Sequence, residues 1–264
     1  MTSPEVTKPS KAWVPGFRGL LCVLSLVVMV LAIIPPMWNW SLRYGFVQAI
    51  QFCLFGYGAP ALLVVGAPWL GVRPSATANV VANQRAWFQR WNSRRVREKA
   101  QVRALSAAAV VIAASIFWRV APVVNALVHH SWLILVEAVT LFVPSVFLMI
   151  ELVESPPLAP GISRPYRLGI AAVVMWCAWI VAYLAGMSRD SWYTAFHHVA
   201  GAGISATADQ QLSTGFVWLL TASVFVPIVF WNLMHWLQSE EDPNEEIIKL
   251  FRQEREHGFF GSAD

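Results

Sequence analysis

The chain has 264 residues, 57% hydrophobic and only 13% charged, with a net charge of +4 at neutral pH. A soluble domain of this length carries about a quarter charged residues, so this composition is not that of an ordinary soluble surface. It leaves one large apolar domain or a helical membrane bundle, and the arrangement of the apolar residues decides between them.

Residues 1–16, with Ser3, Pro4, Pro9, Ser10 and Pro15, read as a disordered cytoplasmic N-terminus. Six stretches are then long enough, or nearly so, to cross hydrocarbon, which takes about 20 residues. They lie at 19–37, 45–70, 104–121, 132–153, 168–187 and 214–237. The first begins well inside the chain and ends in Pro35-Pro36 without a small-residue cleavage site, so it is expected to be a retained helix rather than a cleaved signal. Strand alternation is absent, and a spanning segment that is not part of a closed barrel must be a helix. The expected fold is therefore an all-α integral membrane protein, a polytopic bundle of about six transmembrane helices over residues 17–237.

Lys and Arg give the orientation. With the N-terminus in the cytoplasm, sixteen of the nineteen basic residues fall on the inner side, leaving only Arg43, Arg119 and Arg189 outside. That asymmetry predicts both termini inside and an even number of spans. It also explains the positive charge through lipid and topology, so nucleic acid is not expected as a partner.

The long inner loop, 72–103, places Trp87, Phe88 and Trp91 at helical spacing among Arg85, Arg90, Arg94, Arg95 and Arg97. That pattern suits a basic amphipathic helix lying at the headgroup boundary. The C-terminal tail, 238–264, opens with Asp242-Pro243-Asn244-Glu245, a helix-start pattern, followed by Ile247, Ile248 and Phe251 as a short apolar stripe. The stripe has three possible seats: the protein's own inner face, lipid, or a partner.

Cys22, Cys53 and Cys177 are isolated and each lies in a span, which indicates packing rather than a disulfide framework or a zinc site. Possible metal ligands gather instead in the outer loops: His129 and His130 before the fourth span, and His197, His198 and Asp209 before the sixth. His and Asp suit copper and other metals. Adjacent histidines on a helix point about 100° apart, so a site would need the two pairs to converge. The competing reading makes the histidines interfacial hydrogen-bonding groups and Asp209 a helix cap or main-chain turn binder.

Within the spans, Glu137 is the most expensive side chain, placed near the outer end of the fourth. It is expected to face the bundle interior, to be protonated, or to have a partner. Gln48 and Gln51, one turn apart in the second span, are candidates to hydrogen-bond across helices. Glu151, near the inner end, is expected to reach the headgroups. Sequence signatures of hydrolases, zinc proteases and phosphate-binding loops are missing, so no enzyme is expected. A small-molecule transporter is disfavoured because there is no inverted repeat, and Pro60 and Pro144 read only as isolated kinks.

Two stretches carry a family resemblance. The second span ends Ala59-Pro60-Ala61-Leu62-Leu63-Val64-Val65-Gly66-Ala67-Pro68, and the sixth is preceded by Ala208-Asp209-Gln210-Gln211-Leu212-Ser213-Thr214-Gly215-Phe216-Val217-Trp218. Their content, order and separation resemble the CtaG-like family of bacterial membrane proteins tied to cytochrome c oxidase assembly, over about residues 38–240. The resemblance implies a bacterial inner-membrane protein supporting biogenesis of a haem–copper oxidase, with oxidase subunits as partners and copper as a possible cargo at the outer face. The alternative is a structural or accessory membrane subunit that holds no metal. The resemblance also implies two His pairs as copper ligands. Aligned through Gly66-Ala67-Pro68, the first pair falls on Gln48 and Phe52; the second falls on Ile134 and Ala138, next to Glu137. Neither pair is present.

Overall fold

The computed structural model describes residues 15–71, 99–156, 158–197 and 203–238. The expected N-terminal disorder, the amphipathic helix around Trp87 and the helix of the C-terminal tail lie outside the described residues.

All extended elements within them are helices. They are α1 (Pro15–Ile33), α2 (Met37–Ser41), α3 (Gly45–Cys53), a π-helical turn (Leu54–Gly58), α4 (Ala59–Gly66), α5 (Pro68–Gly71), α6 (Ala100–Arg119), α7 (Ala121–His129), α8 (Leu133–Leu152), α9 (Arg164–Gly186) and α10 (Ala206–Leu237). Five helical stretches are long and apolar enough to cross a membrane: Gly45–Gly66, which runs through α3, the π turn and α4, together with α6, α8, α9 and α10. A shorter apolar helix, Phe17–Ile33 within α1, completes the set. The chain is an all-α polytopic membrane protein.

The helix ends depart from the expected spans where local chemistry overrides hydropathy. The first helix stops at Ile33, before Pro35 and Pro36, which lack the N–H that would continue it. The third begins at Ala100, so residues 100–103, expected as the end of the basic loop, form the first turn of α6. The sixth begins at Ala206, where the Ser205 hydroxyl accepts the Ala208 N–H at 3.0 Å as its cap. At 32 residues and about 1.5 Å per residue, α10 is some 48 Å long, against roughly 30 Å of hydrocarbon. The Asp209-Gln210-Gln211 stretch, expected in a loop, is therefore helical.

The second span is the centre of the bundle: 61% of its most apolar window is buried, against 22% for α6 and for α10. It packs against α1, α8 and α10, while α9 lies along α10 and α6 packs on α8 and α9. The α1–α4 contact is close because Gly66 faces α1; a Cβ there would stand 2.6 Å from the Cys22 sulfur. Such small-residue contacts are the usual means of close helix approach in membranes. Ser25 adds a hydrogen bond to the Ala59 carbonyl at 2.8 Å. Pro60 is more than an isolated kink candidate. It sits at the start of α4, directly after the π turn, because it cannot donate to the carbonyl one turn earlier.

Candidate functional site

The polar residues buried in the bundle converge between α3, α6, α8 and α10. Gln48 and Glu137 are fully buried, and Arg119 and Ser213 nearly so. The Gln48 amide is used at both ends. Its Nε2 donates to Glu137 Oε1 at 2.9 Å, and its Oε1 accepts from an Arg119 guanidinium nitrogen at 2.8 Å. The second terminal nitrogen of Arg119 donates to Ser213 Oγ at 2.7 Å. The guanidinium also lies 5.6 Å from the Phe52 ring centroid and 5.4 Å from that of Tyr193, within cation–π range. Tyr193 returns a hydrogen bond to the Arg119 carbonyl at 3.2 Å. Gln48 thus links a buried carboxylate to a buried guanidinium that does not touch it. Glu137 Oε2 has no hydrogen-bond partner among the described residues.

Gln51 does not join this cluster; its Nε2 donates to the Ala32 carbonyl of α1 at 2.5 Å. Glu151 is buried rather than reaching the headgroups by itself, and Arg103 lies 2.6 Å from its carboxylate.

The outer-loop candidates are placed differently from one another. Asp209 sits one turn inside α10 and points across to α3, where its carboxylate accepts the main-chain N–H of Gly45 at 2.8 Å and of Phe46 at 3.2 Å. It caps α3, not its own helix, because Tyr44 supplies no side-chain cap to α3 and Ser205 already caps α10. Its neighbour Gln210 donates to the Ala185 carbonyl at the end of α9 at 2.6 Å and accepts the Trp192 N–H at 2.7 Å. The Asp-Gln pair therefore ties the start of α10 to α3 and to the end of α9. His129 ends α7, His130 follows it, and His197 ends a short 3-10 turn; all three side chains are exposed. His198 lies outside the described residues. Among the described residues, no three His, Cys, Asp or Glu side chains gather in a metal-binding arrangement.

The positions at which the resemblance implies copper ligands do lie in the bundle interior, around Glu137. They do not fit copper. Phe52, Ile134 and Ala138 carry no donor atom, are buried, and pack in the apolar core. The Gln48 amide is already committed to Glu137 and Arg119. A guanidinium, a cation the chain itself supplies, stands among them.

No curated protein and no solved structure matches the chain. The family model for the cytochrome c oxidase caa3 assembly factor matches residues 5–239, nearly the whole chain. On that match the chain belongs to the cytochrome c oxidase caa3 assembly factor family.

Proposed function

We propose that this protein supports haem–copper oxidase biogenesis as a non-catalytic membrane scaffold that contacts oxidase subunits and holds no copper in its interior. The observation that carries this reading is the Glu137–Gln48–Arg119–Ser213 cluster. Its polar atoms mostly satisfy one another, and its charge balance is internal. Apolar side chains and a committed amide stand where metal donors would be needed. The excess of Lys and Arg in alternate loops supports a bacterial inner-membrane placement with both termini and the 72–103 loop in the cytoplasm. In that orientation His129, His130, His197 and His198 face the outer compartment, and copper handling by this protein would fall to them.

The test is copper content of the detergent-purified chain after loading with Cu(I) and washing with a competing chelator, together with capture of oxidase subunits from the membrane. The expected result is copper-free protein that co-purifies with an oxidase subunit. Stoichiometric copper that is lost when His197 and His198 are both changed to Ala would overturn the metal-free reading and assign copper handling to the outer face.

A further inference from the structure

A crevice separates α6 from α9 on the flank of the bundle. Its walls are Ile112 and Ile116 of α6, Val174, Ala178 and Val181 of α9, and Val217 of α10. Ile116, at its rim, is 43% exposed, so the crevice reaches the outside of the bundle. The buried polar side chains of Arg119 and Ser115 of α6 and Tyr57 of the π turn also line it, and these three are termed its floor.

The floor is rich in donors and poor in acceptors. A guanidinium carries five N–H donors and cannot be deprotonated in a protein. For Arg119, the acceptors among the described residues are the Gln48 amide oxygen and the Ser213 hydroxyl. Both are neutral groups. No carboxylate of the described residues lies within ion-pair distance of Arg119; Glu137 is reached only through Gln48. The Tyr57 and Ser115 hydroxyls lie 2.8 Å apart. Only one of their two hydrogens can lie between the oxygens, and neither hydroxyl has another hydrogen bond within the described structure. Apart from the Cys177 thiol, no other side chain lining the crevice carries a polar atom. Buried charges are normally paired, because an isolated one is costly in a low-dielectric interior. The space between the lining side chains is narrow and takes a group about the size of one oxygen atom.

We propose that this crevice binds an anionic single-chain amphiphile of the membrane. A carboxylate oxygen sits against Arg119 and the Tyr57–Ser115 hydroxyl pair, and the aliphatic chain leaves past Ile116 into the lipid. An anion supplies an acceptor for the hydroxyl hydrogen and guanidinium N–H groups left over, and a charge in direct contact with Arg119, which Glu137 reaches only through Gln48. The narrow space favours a carboxylate oxygen over a bulky head, and the apolar walls match a hydrocarbon chain. A phospholipid phosphate offers the same oxygen chemistry from a larger head and is the other source to be distinguished. This inference does not depend on whether the protein handles copper.

The full chain is delipidated in dodecyl maltoside and offered oleate, phosphatidylglycerol or phosphatidylcholine. Retained lipid is read by mass spectrometry and stability by the melting temperature. The expected result is about one oleate retained per chain, a rise in Tm of about 5 °C, and no comparable effect of phosphatidylcholine. Arg119→Gln should abolish retention. Ala178→Phe, which fills the crevice and leaves Arg119 in place, should abolish it too, and it decides the matter alone if Arg119→Gln does not fold. Retention of phosphatidylglycerol in place of oleate, lost in the same variants, supports the site and assigns the head to a phosphate. Oleate retained equally by Ala178→Phe, or no preference for either anion over phosphatidylcholine, overturns the proposal.

Discussion

Asp209 of α10 accepts the main-chain N–H of Gly45 at 2.8 Å and so closes the start of α3 from 164 residues away in sequence. A charged acceptor at a helix start is favourable both as a hydrogen bond and through the helix dipole. Asp209→Ala strands the Gly45 and Phe46 N–H groups and should lower stability by about 2–3 kcal/mol, with Asp209→Asn losing less. Gly45→Ala tests the same contact from the other side. Alanine favours a helix over glycine by about 1 kcal/mol, but its Cβ would stand 2.8 Å from the Asp209 carboxylate and 3.2 Å from the Phe196 ring. Its melting temperature in detergent should therefore fall; a rise would mean that the clasp is looser than the geometry requires.

Gln48 holds the polar centre together because it answers a carboxylate with its amide N–H and a guanidinium with its carbonyl. Gln48→Leu keeps the volume and removes both bonds. The loss should be about 3 kcal/mol, the scale on which breaking a buried charged network destabilises a protein. Replacing the whole network with apolar groups is often far less harmful than breaking it. The triple variant Gln48→Leu, Glu137→Leu, Arg119→Met should therefore be more stable than Gln48→Leu alone. Chemical unfolding of the wild type, the three single variants and the triple variant in mixed micelles measures this non-additivity; strict additivity of the single losses would show that the three residues do not act as a unit.

Much of the fold was legible because hydropathy is a local property of the chain. All six apolar stretches correspond to helices, and Pro35-Pro36 marks the end of the first. The helix ends were less legible, since α10 runs eight residues beyond its apolar stretch on the strength of a Ser205 cap and buried polar partners. Within the site, Gln48 and Glu137 could be named as buried polar residues, but the role of Arg119 could not. It read as an outer-side basic residue near the end of the third span, and its partners lie 71 and 94 positions away. One signal was present: Gln48, Arg119 and Glu137 all stand within a few residues of the same end of their helices. Residues matched in depth in this way are candidates to meet. The same reasoning would have paired Arg103 with Glu151, which also share one end of the bundle. For Asp209 the sequence left a metal ligand, a cap of its own helix and a main-chain turn as readings, and only the packing of α10 on α3 puts its carboxylate on the N–H groups of Gly45 and Phe46.

The Arg103–Glu151 pair should respond unequally to truncation. The Glu151 side chain is 3% exposed and that of Arg103 is 31% exposed. Arg103→Ala takes a close ion-pair partner from a carboxylate that stays buried, whereas Glu151→Ala leaves a long cation that can turn toward the headgroups. Arg103→Ala should have the lower melting temperature of the two, and the order would reverse only if the guanidinium were the more deeply held charge.

Gly66 sets how closely α1 approaches the central span. A Cβ at this position would stand 2.6 Å from the Cys22 sulfur, 2.9 Å from the Cys22 nitrogen and 3.0 Å from the Arg18 carbonyl oxygen. Two of these three atoms belong to the main chain of α1, so no side-chain rotation relieves them. Gly66→Ala must push α1 away from α4, and overpacking of this kind typically costs about 1–3 kcal/mol. Removing the sulfur does not remove the clash. The double variant Gly66→Ala, Cys22→Ala should therefore stay well below Cys22→Ala alone in melting temperature. The displaced helix should also expose more of Cys22, which is half-buried in the native bundle, so Gly66→Ala should react faster with a membrane-permeant maleimide. Full recovery in the double variant would reduce the contact to the sulfur alone and show that the α1 main chain has room to spare.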